Sequence, residues 1–205
     1  MNASATTIVY LHGFRSSPAS AKAQLFVRAV AALSPPIRPR LFVPALTTAP
    51  AAAVASVAAW IEREVGARVP AALTLVGSSL GGYYATVLAE RFGARAALIN
   101  PAVRPYDDLR RYVGVQENLY TGERFEVTEA HFAELAAMRV ARITRPGRYF
   151  LLQRSGDEVL DWREAVAFYA GAAQYVAGGG DHGWIDFGAE IPTVLRFAGV
   201  PLSTL

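Results

Sequence analysis

The chain has 205 residues, 53% of them hydrophobic and 18% charged, with a formal net charge of +3. That length predicts one domain able to bury its own core, and the composition excludes a disordered, collagen-like or low-complexity chain. The pI of 9.4 follows from nineteen arginines beside the single Lys22 rather than from a basic stripe interleaved with aromatics, so no nucleic-acid partner is expected.

Strand-like and helix-like segments alternate along the chain. Thr7 to Leu11 reads as a buried strand. After HGFRSSP, Pro18 suits the first turn of a helix capped by Ser17 and running to about Leu33, where Ser34-Pro35-Pro36 ends it. Leu41 to Val43 is a short second strand. Thr48 is placed to cap the next helix, whose Val54, Val57, Ile61 and Val65 recur at helical spacing before Gly66 closes it. Leu73 to Val76 is the third strand, followed by GSSLGG and a helix through Phe92. Ala96 to Ile99, Tyr149 to Leu152 and Gln174 to Val176 read as strands four to six. Asp161 to Ala170 reads as a helix, and so does Ile191 to Phe197.

This rhythm predicts an α/β fold: a mostly parallel sheet of about six strands flanked by helices, in one domain spanning 1–205. One stretch breaks it. About 101–145 is too long for a simple crossover and carries Tyr106, Tyr112, Tyr120, Phe125, Phe132 and a predicted helix from Thr128 to Met138. It is expected to form a small helical cap over the carboxyl edge of the sheet.

Gly77-Ser78-Ser79-Leu80-Gly81 matches G-x-S-x-G, and only Ser79 can be its centre, because Val76 and Leu80 occupy the glycine positions of the other register. The motif joins an apolar strand to a helix. A serine on so sharp a turn projects above the sheet at a helix N-terminus, with the Leu80 amide aimed at an oxyanion. The Walker Lys-Ser/Thr ending is missing, which removes the phosphate-loop reading.

A serine nucleophile needs a base, and in this architecture the acid and histidine follow it in chain order. His131 falls in the predicted cap helix. His182 falls in GGGDHGW, directly after the last strand, and is the expected base. Asp157, after the strand YFLLQ, is the expected acid; Glu158, Asp161 and Asp181 are its rivals, with Asp161 better suited to cap the following helix. His12-Gly13-Phe14 ends the first strand. The Phe14 amide is the expected second oxyanion donor, and the His12 side chain braces the loop.

Together, IVYLHGFRSSPASAKA (Ile8 to Ala23), LVGSSLGGYYATVLAE (Leu75 to Glu90), LINPAVRPY (Leu98 to Tyr106), LLQRSGDEVLDWR (Leu151 to Arg163) and GGGDHGW (Gly178 to Trp184) resemble the α/β-hydrolase superfamily. More closely, they resemble the small YqiA-like esterases. The resemblance implies a serine esterase or acyl-thioesterase with Ser79, Asp157 and His182 in the triad positions, a reduced sheet and no cofactor. Its partners would be small-molecule esters or acyl-thioesters; acyl transfer to another acceptor is a variant of the same chemistry. A binding protein on an inactive hydrolase fold is the alternative of a different class.

With no cysteine and three scattered histidines, no metal site is expected. The N-terminus MNASATTIVYLHGF lacks the charged and apolar regions of a leader, and no apolar run is long enough to span a bilayer, so a cytoplasmic protein is expected. Arg104, Arg110, Arg111, Arg139, Arg142, Arg145 and Arg148 lie in or beside the insertion. They read either as a solvated surface or as a rim for the phosphates of an acyl-CoA.

Overall fold

A computed structural model describes residues 6–69 and 71–202; the first five residues of the N-terminal stretch read above lie outside it. Strand β1 (Thr7–Leu11) is buried along its whole length. Its side chains alternate between two cores, as a period of two requires. Val9 and Leu11 face one, Ile8 and Tyr10 the other. Helix α1 (Ala21–Ala31) covers the second core with Ala23, Phe26 and Val30. It starts three residues later than the sequence implies. Ser17 and Pro18 form a separate turn in which the Ser17 hydroxyl accepts from the Ala19 N–H, and Ser20 precedes the helix.

Strand β2 (Arg40–Phe42) pairs with β1. Helix α2 (Pro50–Glu64) begins at Pro50, whose missing N–H costs nothing at a first helical position. Ala49, not Thr48, occupies the cap position, and the Ala51 N–H instead donates to the Glu134 carboxylate, 83 residues away. A cap supplied from another element leaves no local sequence signal.

The sheet continues with β3 (Leu73–Ser78), followed by α3 (Leu80–Phe92), and β4 (Arg95–Ile99). It ends with β7 (Tyr149–Arg154), followed by α6 (Trp162–Phe168), and β8 (Ala173–Ala177). The strand order is β2-β1-β3-β4-β7-β8, and every pair in it is parallel. Helices α2, α3 and α6 pack on one face. The other face carries α1 and the terminal helix α7 (Ile191–Phe197), which buries Ile191, Val194 and Leu195.

Between β4 and β7 the chain forms α4 (Pro105–Asp108), a hairpin of β5 (Gly114–Glu117) and β6 (Arg124–Val127), and α5 (Glu129–Ala137). The expected cap helix is α5. The antiparallel hairpin is the part the sequence reading lacked. Its strands are short and face solvent, with Val115 70% exposed, so they offer no apolar run to read. Among the described residues no helix is long and apolar enough to cross a membrane.

Candidate active site

The turn from β3 into α3 forces Ser79 to φ 55° and ψ −122°, a strained conformation for a residue with a side chain. Its neighbours explain how the turn closes. A Cβ on Gly77 would overlap the Gly81 carbonyl, and one on Gly81 would overlap the Leu11 carbonyl at the end of β1. Both motif glycines are therefore required by backbone-to-backbone approach. The Ser79 N–H donates to the Ile99 carbonyl at 3.0 Å, and its carbonyl accepts from Gly82 and Ala102, so the elbow is pinned to the end of β4.

Ser79, Asp157 and His182 come from three loops at one sheet edge. His182 Nε2 lies 3.0 Å from Ser79 Oγ, and His182 Nδ1 lies 2.8 Å from Asp157 Oδ2. The Asp157 side chain is fully buried, whereas that of His182 is 18% exposed. Burial raises the Asp157 carboxyl, but the His182 hydrogen bond and charge, with the N–H groups of Leu160 and Val159, outweigh it and hold the group below its ordinary value. An ionised Asp157 accepts only, so the Nδ1–H donates to it, and in the neutral imidazole the Nε2 lone pair faces the serine hydroxyl.

The rival carboxylates are engaged elsewhere. Glu158 Oε2 accepts the backbone N–H of His182 at 2.9 Å. Asp181 Oδ1 accepts from the Trp184 N–H at 2.7 Å, within its own turn. Asp161 caps α6 by accepting from the Arg163 N–H.

His12 braces two segments: its Nδ1 lies 3.1 Å from the Gly13 carbonyl, and its Nε2 accepts from the Leu46 N–H. Burial lowers its pKa, against the raising effect of the Gly13 carbonyl. His131 sits in the first turn of α5, where its Nδ1 accepts the Thr128 N–H at 3.0 Å.

Gly13 approaches Ser79 so closely that a Cβ there would stand 3.1 Å from the Ser79 Cβ. Phe14 follows it, packed against Tyr112 and Phe125 of the insertion. Neither the Phe14 nor the Leu80 N–H donates to a backbone carbonyl of another described residue.

Two residues that the motifs did not single out hold the histidine loop. Asn100, fully buried with φ 41°, accepts the Arg154 N–H at 2.8 Å and donates to the carbonyls of Asp181 and His182. Lys22 Nζ donates to the same His182 carbonyl at 3.0 Å. A polar residue closing an apolar strand, Leu98-Ile99-Asn100, was the one available hint, since asparagine tolerates positive φ.

Two cavities meet at Ser79 and His182. One, of about 190 Å³, has apolar walls that include Leu80, Ala102, Leu109, Tyr112, Val159 and Leu160. The other, of about 250 Å³, is bordered by Tyr10, Ser16, Ser20, Lys22 and Tyr120. Leu119, at the hairpin tip, lines both.

Among the seven arginines in or beside the insertion, Arg111 alone lines these cavities. Arg104 pairs with Asp107, Arg110 with Glu129 and Arg148 with Glu90. Among the described residues no group of three or more His, Asp or Glu side chains could hold a metal ion.

Several solved structures share this architecture. A protein from Agrobacterium vitis aligns with a TM-score of 0.71 at 18% identity, over 96% of this chain and 89% of its own. The esterase domain of a Rhodothermus marinus protein aligns at 0.68 and 17%, over 95% and 86%. Alpha/beta hydrolase domain-containing protein 10 from mouse aligns at 0.65 and 18%, over 93% and 86%. The fold is that of the α/β-hydrolase superfamily. Residues 7–199 match the profile of the uncharacterised protein family UPF0227, the YqiA-like family, and the chain belongs to it.

Proposed function

We propose that the protein is a serine hydrolase of carboxylic esters or acyl-thioesters. The observation that carries this reading is the continuous contact from Asp157 through His182 to Ser79, assembled from positions 25 and 103 residues apart. The esterase and hydrolase descriptions of structural neighbours agree with it at the level of reaction class.

In this mechanism Ser79 Oγ attacks the substrate carbonyl carbon as its proton passes to His182 Nε2. Asp157 holds the resulting imidazolium and fixes its tautomer. The carbonyl π pair moves onto oxygen, which the N–H groups of Leu80 and Phe14 receive at the N-terminus of α3. The tetrahedral intermediate collapses, the bond to the leaving oxygen or sulfur breaks, and His182 returns its proton to that atom. Water, deprotonated by His182, then attacks the acyl-serine; the bond from the acyl carbon to Ser79 Oγ breaks, His182 returns the proton to Oγ, and the acid is released. The cavity beside Leu80 and Leu160 suits the acyl chain, and the one beside Ser16 and Tyr120 suits the leaving group.

A fluorophosphonate probe should label Ser79, and the chain should hydrolyse p-nitrophenyl butyrate faster than the laurate. Ser79→Ala should lose activity on the order of a million-fold, as for a group acting within a triad. Ser78, buried in β3, should be replaceable by Ala with most activity kept. An unlabelled wild-type chain inert towards esters and acyl-CoA thioesters would reject the reading in favour of a binding protein.

A further inference from the structure

The one lysine in a chain of nineteen arginines lies at the candidate active site. Lys22 stands in the first turn of α1, borders the larger cavity and donates to the His182 carbonyl from one side while Asn100 donates from another.

The charged groups that face Lys22 are Asp157 and Glu158 from the loop after β7 and Asp181 from the loop after β8. On β1, the Tyr10 phenol stays neutral, because burial pushes its pKa far up. Two nearby guanidiniums are turned away: Arg15 donates to the Glu117 carbonyl, and Arg154 pairs with Asp186.

Asp157 accepts from the imidazole and Glu158 from the His182 backbone N–H, and negative charge beside any imidazole works in favour of its cation. A cationic imidazole cannot take the serine proton. With Lys22 counted, the cluster is still net negative, which weighs against the ammonium being a seat for an anionic leaving group.

We propose that Lys22 is a positioning residue for the base: its ammonium fixes the His182 carbonyl and offsets the surrounding carboxylates, so that the imidazole faces Ser79 as a proton acceptor. This rests on the hydrolase reading and deepens it, by naming what sets the pH range in which the base works. Burial draws the ammonium down to about 8, against the three carboxylates that support it, so it remains charged at neutral pH.

The test is the pH profile of kcat/KM for p-nitrophenyl butyrate, with the rate of fluorophosphonate labelling alongside. It is run on the wild-type chain and on Lys22→Arg, Lys22→Gln and Lys22→Met. The acid limb reports the base of the free enzyme. Lys22→Met and Lys22→Gln should move that limb upward by about one unit, a loss of roughly tenfold at about pH 6 that shrinks towards pH 8. Lys22→Arg should restore the wild-type limb. Glutamine keeps a donor for the carbonyl and arginine keeps the charge, so the pair separates the two contributions. An equal loss at every pH, or no loss, would make Lys22 a packing residue and overturn the proposal.

Should the substitutions fail to fold, wild-type chain labelled with [15N]lysine gives one ammonium signal. A titration midpoint near 8 supports the placement, and one near the ordinary 10.5 overturns it. A wild-type chain that neither labels at Ser79 nor cleaves the ester would overturn the hydrolase reading itself, and this proposal with it. An active wild-type chain with unshifted variants overturns the proposal alone.

Discussion

Asp157 is the residue on which the proposed mechanism is most exposed to test. Its carboxylate accepts from His182 Nδ1 and from the N–H groups of Val159 and Leu160, so all its partners are donors. Asparagine in its place would present an amide N–H to Nδ1 or lose the contact, and the imidazole would hold its proton on Nε2, facing the nucleophile. Asp157→Asn should therefore cost about ten-thousand-fold in kcat. Asp161→Ala, four residues on, should leave kcat unchanged and cost about 1 kcal/mol of stability through the lost cap of α6. Kinetics and melting curves on the two variants check this, and the reverse pattern would move the acid to Asp161. Ser79 and His182 were legible because each stands in a glycine-marked loop directly after an apolar strand. Asn100, Glu158 and Lys22 were not: they act on the backbone of His182 across 82, 24 and 160 residues, and such contacts leave no spacing to read.

The hairpin β5–β6 is the element that joins the insertion to the candidate site. Its tip docks on the loop after β1 through three hydrogen bonds: Asn118 Nδ2 to the Ser16 carbonyl at 2.8 Å, the Leu119 N–H to the Arg15 carbonyl at 2.9 Å, and Arg15 Nε to the Glu117 carbonyl at 3.0 Å. Asn118 Oδ1 also accepts from Tyr120 and Thr121, which shapes the turn itself. The loop held in this way carries Phe14, whose N–H is assigned to the oxyanion. Asn118→Ala should thus lower kcat/KM for a p-nitrophenyl ester by about tenfold, the equivalent of one well-placed hydrogen bond. The core should be untouched, because Asn118 lies outside both buried clusters. Unchanged kinetics would detach the hairpin from the chemistry. The expected cap helix is present as α5, and the hairpin beside it went unread for a physical reason. Two four-residue strands with one half-buried face carry less periodic signal than the nine residues of α5.

Over the whole molecule, the alternation of strands and helices conveys a parallel sheet but not its order. The order β2-β1-β3-β4-β7-β8 reverses direction between β1 and β3, and the carboxyl ends of those two strands carry Gly13 and Ser79. A crevice at such a reversal is where open α/β sheets bind ligands. Placing the site there has a thermodynamic consequence, because it buries a cation. Lys22 has a folded pKa of about 8, below its ordinary 10.5. Below about pH 8 both folded and unfolded chains hold the proton, and the cost of enclosing the ammonium is fully present. Between the two values the unfolded chain binds more protons, so stability rises with pH; above both, the cost is gone. Lys22 is half-buried, so solvent screening reduces the effect. Lys22→Met should therefore melt about 2–4 °C above the wild type at neutral pH, a difference of roughly 1 kcal/mol for a chain of this size. That gap should close as the pH approaches 10.5. Thermal melts of both chains across this range check the sign. A gap that widens with pH would mean that the ammonium stabilises the fold, and that Lys22 is kept for packing rather than for His182.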